Sequence, residues 1–153
     1  MKLVLLLSVL ILSACTSDKT GVRTQYSNTN SITSYAKSLI GTPYKYGGNS
    51  PKHGFDCSGF VVHVFRQSLG VKLPRTTRKI RYSGKAVQKK YLRAGDLVFF
   101  NTMRRKFSHV GIYLGNNRFI HAPSSGGNVR IENMRASYWR KIYNGARRIT
   151  SRR

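Results

Sequence analysis

An α+β fold is expected from two features of the sequence. In the first half, apolar residues recur at helical spacing, through Ile32, Tyr35, Ala36 and Leu39 and again through Phe60, Val61 and Val64. From Leu97 onward they gather into short runs of strand length, separated by Gly, Asn and Pro. Helices first and antiparallel strands after, without internal repeat, is the order of an α+β domain. The 153 residues suit a single hydrophobic core.

The elements follow in order. Met1-Lys2 is a short positive region ahead of the apolar run Leu3 to Leu12, which has signal-peptide length and is too short to span a bilayer. Residues 1–14 are therefore read as a signal peptide. Leu12-Ser13-Ala14-Cys15 resembles the lipobox of bacterial lipoproteins, which implies lipid on Cys15. Residues 15–30, rich in Ser, Thr and Asn, read as a flexible tether, and 31–153 as the folded domain. Ser31 caps a helix running to about Ile40, and Gly41 ends it. A loop from Thr42 to Asp56 leads into a helix that begins at Cys57 and stops at Gly70. Val71 to Pro74 is extended, because Pro74 disfavours helix before it. Thr76 or Thr77 caps a short helix near Arg78 to Tyr82, and Lys85 to Arg93 reads as irregular. Leu97 to Phe100 is a buried strand. His109 to Leu114 and Arg118 to Ala122 form a hairpin around Gly115-Asn116-Asn117. Val129 to Ile131 is a short strand, Ala136 to Lys141 a turn or short helix around Trp139, and Ile142 to Ile149 closes the sheet.

Charge narrows the partners. Against 28 Lys and Arg stand 4 Asp and Glu, a formal charge of +24, and 22 of the basic residues follow Cys57. An excess of that size implies an anionic partner, either nucleic acid, acidic headgroups or an acidic wall polymer. The export signal argues against nucleic acid. It leaves a membrane, reached through Cys15, and an anionic envelope polymer. With lipid on Cys15, Cys57 is the one thiol left, without a disulfide partner.

Cys57 is the centre of the expected chemistry. A cysteine in the first turn of a helix lies near unsatisfied N–H groups and the positive end of the dipole, which favour thiolate. The competing reading is a small buried hydrophobe. A nucleophilic cysteine needs a base, and the base needs an orienting group. Of the four histidines, His63 lies on another face of the Cys57 helix, and His53 is in the preceding loop. His109 and His121 share the hairpin, an arrangement that favours a catalytic pair. A zinc site from Cys57, His109 and His121 lacks ligand-pair spacing.

The chain resembles the NlpC family of papain-like cell-wall endopeptidases. The matching segments are Gly41-Thr42-Pro43-Tyr44, Tyr46-Gly47-Gly48, Asp56-Cys57-Ser58-Gly59-Phe60-Val61 and Leu73-Pro74-Arg75-Thr76. They continue with Gly95-Asp96-Leu97-Val98-Phe99-Phe100, Ser108-His109-Val110-Gly111-Ile112-Tyr113 and Phe119-Ile120-His121-Ala122. The resemblance implies a papain-like fold, with the cysteine helix packed on the C-terminal sheet. It implies Cys57 as nucleophile, His109 as base and His121 as the group that orients it. It further implies substrate contacts at Tyr44, Asp56, Ser58 and Arg75. The implied substrates are the peptide stems and cross-links of peptidoglycan, often at diaminopimelate, and the reaction requires no metal or cofactor. Location in the bacterial envelope follows, with the outer membrane favoured because Thr16, not Asp, follows Cys15. On that mechanism His109 and the helix N-terminus hold Cys57 as thiolate. Two other readings compete: a non-catalytic lipoprotein that binds a polyanion, and a cysteine amidase or acyltransferase.

The histidine pair sets a geometric condition. Side chains alternate faces along a strand, so the hairpin register decides whether the rings meet. A two-residue loop makes positions of odd sum opposite and separates His109 from His121. A three-residue loop, Gly115-Asn116-Asn117, makes positions summing to 232 opposite and places His121 across from Gly111. The expectation is therefore an odd loop or an equivalent bulge, with both rings aimed at the start of the Cys57 helix.

Overall fold

A computed structural model describes residues 19–124 and 126–150. The expected signal peptide and Cys15 lie outside the described residues. Helix α1 (Lys19–Ser38) is followed by the two-residue strands β1 (Asn49–Ser50) and β2 (Gly54–Phe55), then by α2 (Cys57–Leu69) and α3 (Thr77–Ile80). The second half holds β3 (Lys85–Val87), β4 (Leu97–Phe100), β5 (His109–Gly115), β6 (Arg118–His121), β7 (Arg130–Asn133), α4 (Ser137–Ile142) and β8 (Tyr143–Arg148). Strands β3 to β8 form one antiparallel sheet in the order β3-β8-β4-β5-β6-β7.

The α+β expectation holds, with local differences: Ser31, expected to cap the first helix, lies within it, and the expected loop from Thr42 to Asp56 contains β1 and β2. Helix α1 begins at Lys19, so the segment expected as tether is helical from that residue to Asn30. Its visible anchor is apolar: Ile32, Ala36 and Leu39 are buried among Phe60, Val61, Val64 and Phe65 of α2. Lys85–Val87, read as irregular, is an edge strand paired with β8 through Lys85↔Arg148 and Val87↔Ala146. Its Lys and Ala carry little strand propensity, and the pairing is imposed by its neighbour.

The sheet is packed on both faces. One face carries Leu97, Phe99, Val110, Ile112 and Ile120 against α1 and α2. The other carries Val98, Phe100, Tyr113 and Phe119 against Trp139 of α4. Alternation along the strands sorts side chains between these two cores. No helix among the described residues is long and apolar enough to cross a membrane.

Candidate active site

Helix α2 starts where the sequence directs it. The Asp56 carboxylate accepts from Gly59 N–H at 2.6 Å and caps the helix. Gly70, in the left-handed region, ends it. Phe60, Val61 and Val64, the buried stripe counted from Cys57, have no exposed surface. Cys57 is half-buried and lines a cleft of about 990 Å³ together with His109, Tyr44 and Arg75.

The histidines meet through the hairpin register. Ile112 pairs with Ile120 and Tyr113 with Phe119, the 232-sum register. The turn itself is Asn116-Asn117, both at positive φ, and the extra residue is absorbed by a bulge between Tyr113 and Gly115, where Gly115 has φ 91°. His121 thus lies across from Gly111, where an added Cβ would come 3.2 Å from His121 Cβ. His109 Nε2 and His121 Nδ1 are 2.7 Å apart in a buried hydrogen bond.

The rings share one face, but it is the Trp139 face, not the face on which α2 packs. Their centroids are 5.9 Å and 5.1 Å from that of Trp139. The Val110 backbone N–H reaches the Cys57 sulfur, and Cys57 and His109 open on the same cleft.

Burial governs the charges here. It pushes the Cys57 thiol up, against the opposing pull of the Thr77 hydroxyl and the Val110 and Ser58 N–H groups. It lowers His109 to about 4, and His121 is lowered by burial, by His109 and by Arg130. Both directions work against a thiolate–imidazolium pair, the charge state that the helix N-terminus favours. Desolvation is a tertiary property and opposes the dipole here.

Asp56, Ser58 and Arg75 form one network. Arg75 donates to both Asp56 oxygens, at 2.9 and 2.7 Å, and to Ser58 Oγ at 2.8 Å. Tyr44 lines the cleft, and burial, then the nearby Cys57 and Asp56, pushes its hydroxyl up, so it stays protonated. His63 is buried and bonded to the Tyr35 hydroxyl at 3.0 Å, while His53 bonds Ser50 outside the cleft. No group of three His, Cys, Asp or Glu among the described residues is placed to hold a metal.

Two features escaped the sequence. Thr77 Oγ1 lies 3.7 Å from Cys57 Sγ. Its only sequence signal is its place at a helix start after Pro74, which suggested a cap; Thr76 occupies that position. The other is a second cavity beyond His109, walled by Arg130, Tyr138 and Trp139, for which the sequence carries no signal.

A cysteine at the first turn of a buried helix, joined by a cleft to a histidine pair on an antiparallel sheet, defines the papain-like α+β class. The chain belongs to the NlpC/P60 family, whose profile matches residues 41–148. The murein DD-endopeptidase MepS/murein LD-carboxypeptidase of Escherichia coli (strain K12) is 50% identical over 112 residues, covering 73% of this chain and 58% of that protein. The gamma-DL-glutamyl hydrolase of Bacillus subtilis (strain 168) is 43% identical over 115 residues, covering 74% of this chain and 28% of that one. Among solved structures, the NlpC/p60 domain of the peptidoglycan hydrolase SagA aligns with a TM-score of 0.70 at 32% identity, covering 79% of this chain and 98% of that domain. A NlpC/P60 family protein from Bacillus cereus aligns with a TM-score of 0.73 at 34% identity, over 78% of this chain and 39% of that one. The chain spans 58% or less of the length of these curated relatives.

Proposed function

We propose that this domain hydrolyses amide bonds in peptidoglycan stems or cross-links, at bonds involving diaminopimelate, with Cys57, His109 and His121 as its catalytic residues. The observation that carries the reading is the 2.7 Å bond between His109 Nε2 and His121 Nδ1, on the strand whose Val110 N–H reaches the Cys57 sulfur. The murein hydrolase names of its relatives support the substrate class.

The reaction begins from a thiol and a neutral imidazole, the forms that burial favours. For His109 to act as base through Nδ1, its Nε2 carries the hydrogen and donates to His121 Nδ1. As Sγ attacks the carbonyl carbon, its proton moves to His109 Nδ1 and the carbonyl π pair moves to oxygen. The Cys57 N–H and the protonated Tyr44 hydroxyl serve that oxyanion. Collapse breaks the C–N bond, and the amine leaves with the proton from His109. Water, deprotonated by His109, then cleaves the thioester and regenerates the thiol.

Substrate carboxylates suit the cleft. Asp56, Asp96 and Glu132, all the carboxylate side chains among the described residues, are already paired with Arg75, Arg148 and Arg130. Arg78, Arg105 and Lys106 therefore line the cleft without a carboxylate partner among those residues. Tyr44 and the Asp56–Ser58–Arg75 network shape the acyl side. The same excess suits an anionic envelope polymer as partner. Mass spectrometry of muropeptides digested with wild type and Cys57→Ala tests the reaction; equal products from both would reject it.

The proposal extends to residues outside the domain: a signal peptide over 1–14, lipid on Cys15 and attachment to the periplasmic face of the outer membrane. Lys19 onward then belongs to the helical connection and not to a flexible tether. Cys15→Ser should move the protein out of the membrane fraction or leave it uncleaved. Membrane partition that survives the substitution contradicts the anchor.

A further inference from the structure

The two ends of the sheet differ in charge. His109 at the start of β5 pairs with Phe100, and Ile112 further along pairs with Leu97. The cleft, which His109 lines, therefore lies at the Phe100 end of the strands. The other end is basic. Lys85 opens β3 opposite Arg148, and Arg93 begins the turn into β4. Arg118 opens β6 opposite Asn133, and Arg135 follows β7. All four are exposed, and none has a carboxylate partner among the described residues. The Asp96 carboxylate at this end is buried and held by Arg148 at 2.7 Å. Neighbouring strands lie about 4.8 Å apart, so the row from β3 to β7 extends across roughly 24 Å. Tyr91, an exposed aromatic, is tied to the same end, because its carbonyl accepts from Arg148 Nη2 at 3.0 Å.

Helix α1 leaves the domain at the basic end. It runs antiparallel to α2: Tyr35 meets His63 at 3.0 Å, and Ser68 Oγ donates to the Ser31 carbonyl at 3.3 Å. Followed back toward Lys19, it moves away from Cys57. At Gly95, beside the turn into β4, an added Cβ would meet Ile32 Cδ1 at 3.5 Å and Thr29 Cγ2 at 3.8 Å. Lys19 stands four positions after Cys15. A lipid on Cys15 would thus bring the chain in at the basic end and not at the cleft.

We propose that the row formed by Lys85, Arg93, Arg118 and Arg135 docks on an anionic lipid bilayer, with the cleft on the opposite side of the domain. The choice of a membrane as partner rests on the lipid anchor proposed for Cys15; the row itself does not. Acidic headgroups present negative charge in a plane, and cations along the ends of one sheet meet such a plane together. Tyrosine has an apolar ring and a polar tip, which suits Tyr91 to the headgroup layer. The length of β5, about 20 Å, separates the row from His109, so docking leaves the cleft open toward the wall.

Vesicle co-sedimentation tests the surface. The protein is residues 15–153 with Cys15→Ser, which keeps every described residue and removes the contribution of lipid. Vesicles containing phosphatidylglycerol should bind it at least tenfold more tightly than vesicles of phosphatidylcholine alone. The combined variant Lys85→Gln, Arg93→Gln, Arg118→Gln and Arg135→Gln should bind the acidic vesicles at least tenfold more weakly. A second variant, Lys37→Gln, Lys52→Gln, Arg104→Gln and Lys141→Gln, removes the same charge from exposed positions outside the row. Its binding should change less than threefold. Equal weakening in the two variants, or equal binding to both kinds of vesicle, overturns the surface. Capture of soluble polyphosphate through the row, with acidic vesicles left unbound, overturns the membrane as its partner. Wild type that is absent from the membrane fraction, while vesicle binding still depends on the row, overturns the anchor on Cys15 and leaves the surface standing.

Discussion

Gly111→Ala tests the geometry on which the histidine pair depends. The new Cβ would lie 2.7 Å from Phe119 Cδ2, 2.9 Å from the Ile120 carbonyl oxygen and 3.2 Å from His121 Cβ. Carbon atoms pack at about 3.5 Å or more, so the shortfall at Phe119 is roughly 0.8 Å. The Phe119 ring cannot yield easily, because it is fully buried between Phe100 at 4.7 Å and Trp139 and His121 at 4.9 Å. Strand β6 must therefore move away from β5. A shift of that size, taken along the 2.7 Å bond between His109 and His121, carries it to roughly 3.5 Å, the limit of a hydrogen bond. Overpacking of this kind costs about 1–3 kcal/mol, and a misplacement near 1 Å costs on the order of 100-fold in rate. Urea denaturation and kcat/KM on a muropeptide would be measured together. Gly70→Ala is the control: its Cβ meets nothing within 4 Å, but φ 66° strains it, so it loses stability at the end of α2 without touching the hairpin. Wild-type stability and rate in Gly111→Ala would refute the argument.

Further tests address the thiol, the imidazoles and the surface. Thr77→Val should raise the Cys57 pKa and slow its alkylation at neutral pH, and Thr77→Ser should restore both; a pH profile of alkylation unchanged in Thr77→Val removes Thr77 from the account. His109, lowered by burial to about 4, binds no proton in the folded state at pH values where the unfolded chain does. The stability that this contributes is full above about pH 6.5, is lost as pH falls toward 4, and is on the order of 3 kcal/mol. The urea midpoint should drop over that window and drop less in His109→Gln; equal slopes contradict it. Hydrolysis or polymer binding should weaken as salt approaches about 1 M, where the Debye length is near 3 Å, and a flat salt profile would assign the charge another purpose.

Local features determined much of this protein. The Asp56 cap, the buried stripe from Cys57 and the Gly70 stop are short-range patterns, and they define α2 without reference to the rest of the chain. The hairpin register follows from parity: two odd-numbered histidines meet only if the turn carries an extra residue, and Gly115 absorbs it. Tertiary structure decided the rest, because the deciding contacts join residues far apart in sequence. β3 exists because β8 pairs with it. The hydroxyl beside the Cys57 sulfur comes from Thr77, 20 positions away, and the wall beyond His109 comes from Arg130, Tyr138 and Trp139. The rings lie on the sheet face that Trp139 covers, not on the one that α2 covers. The electrostatics of the site have the same origin. A helix N-terminus is visible in a sequence and argues for thiolate; the desolvation that opposes it arises only when distant elements pack around Cys57 and His109.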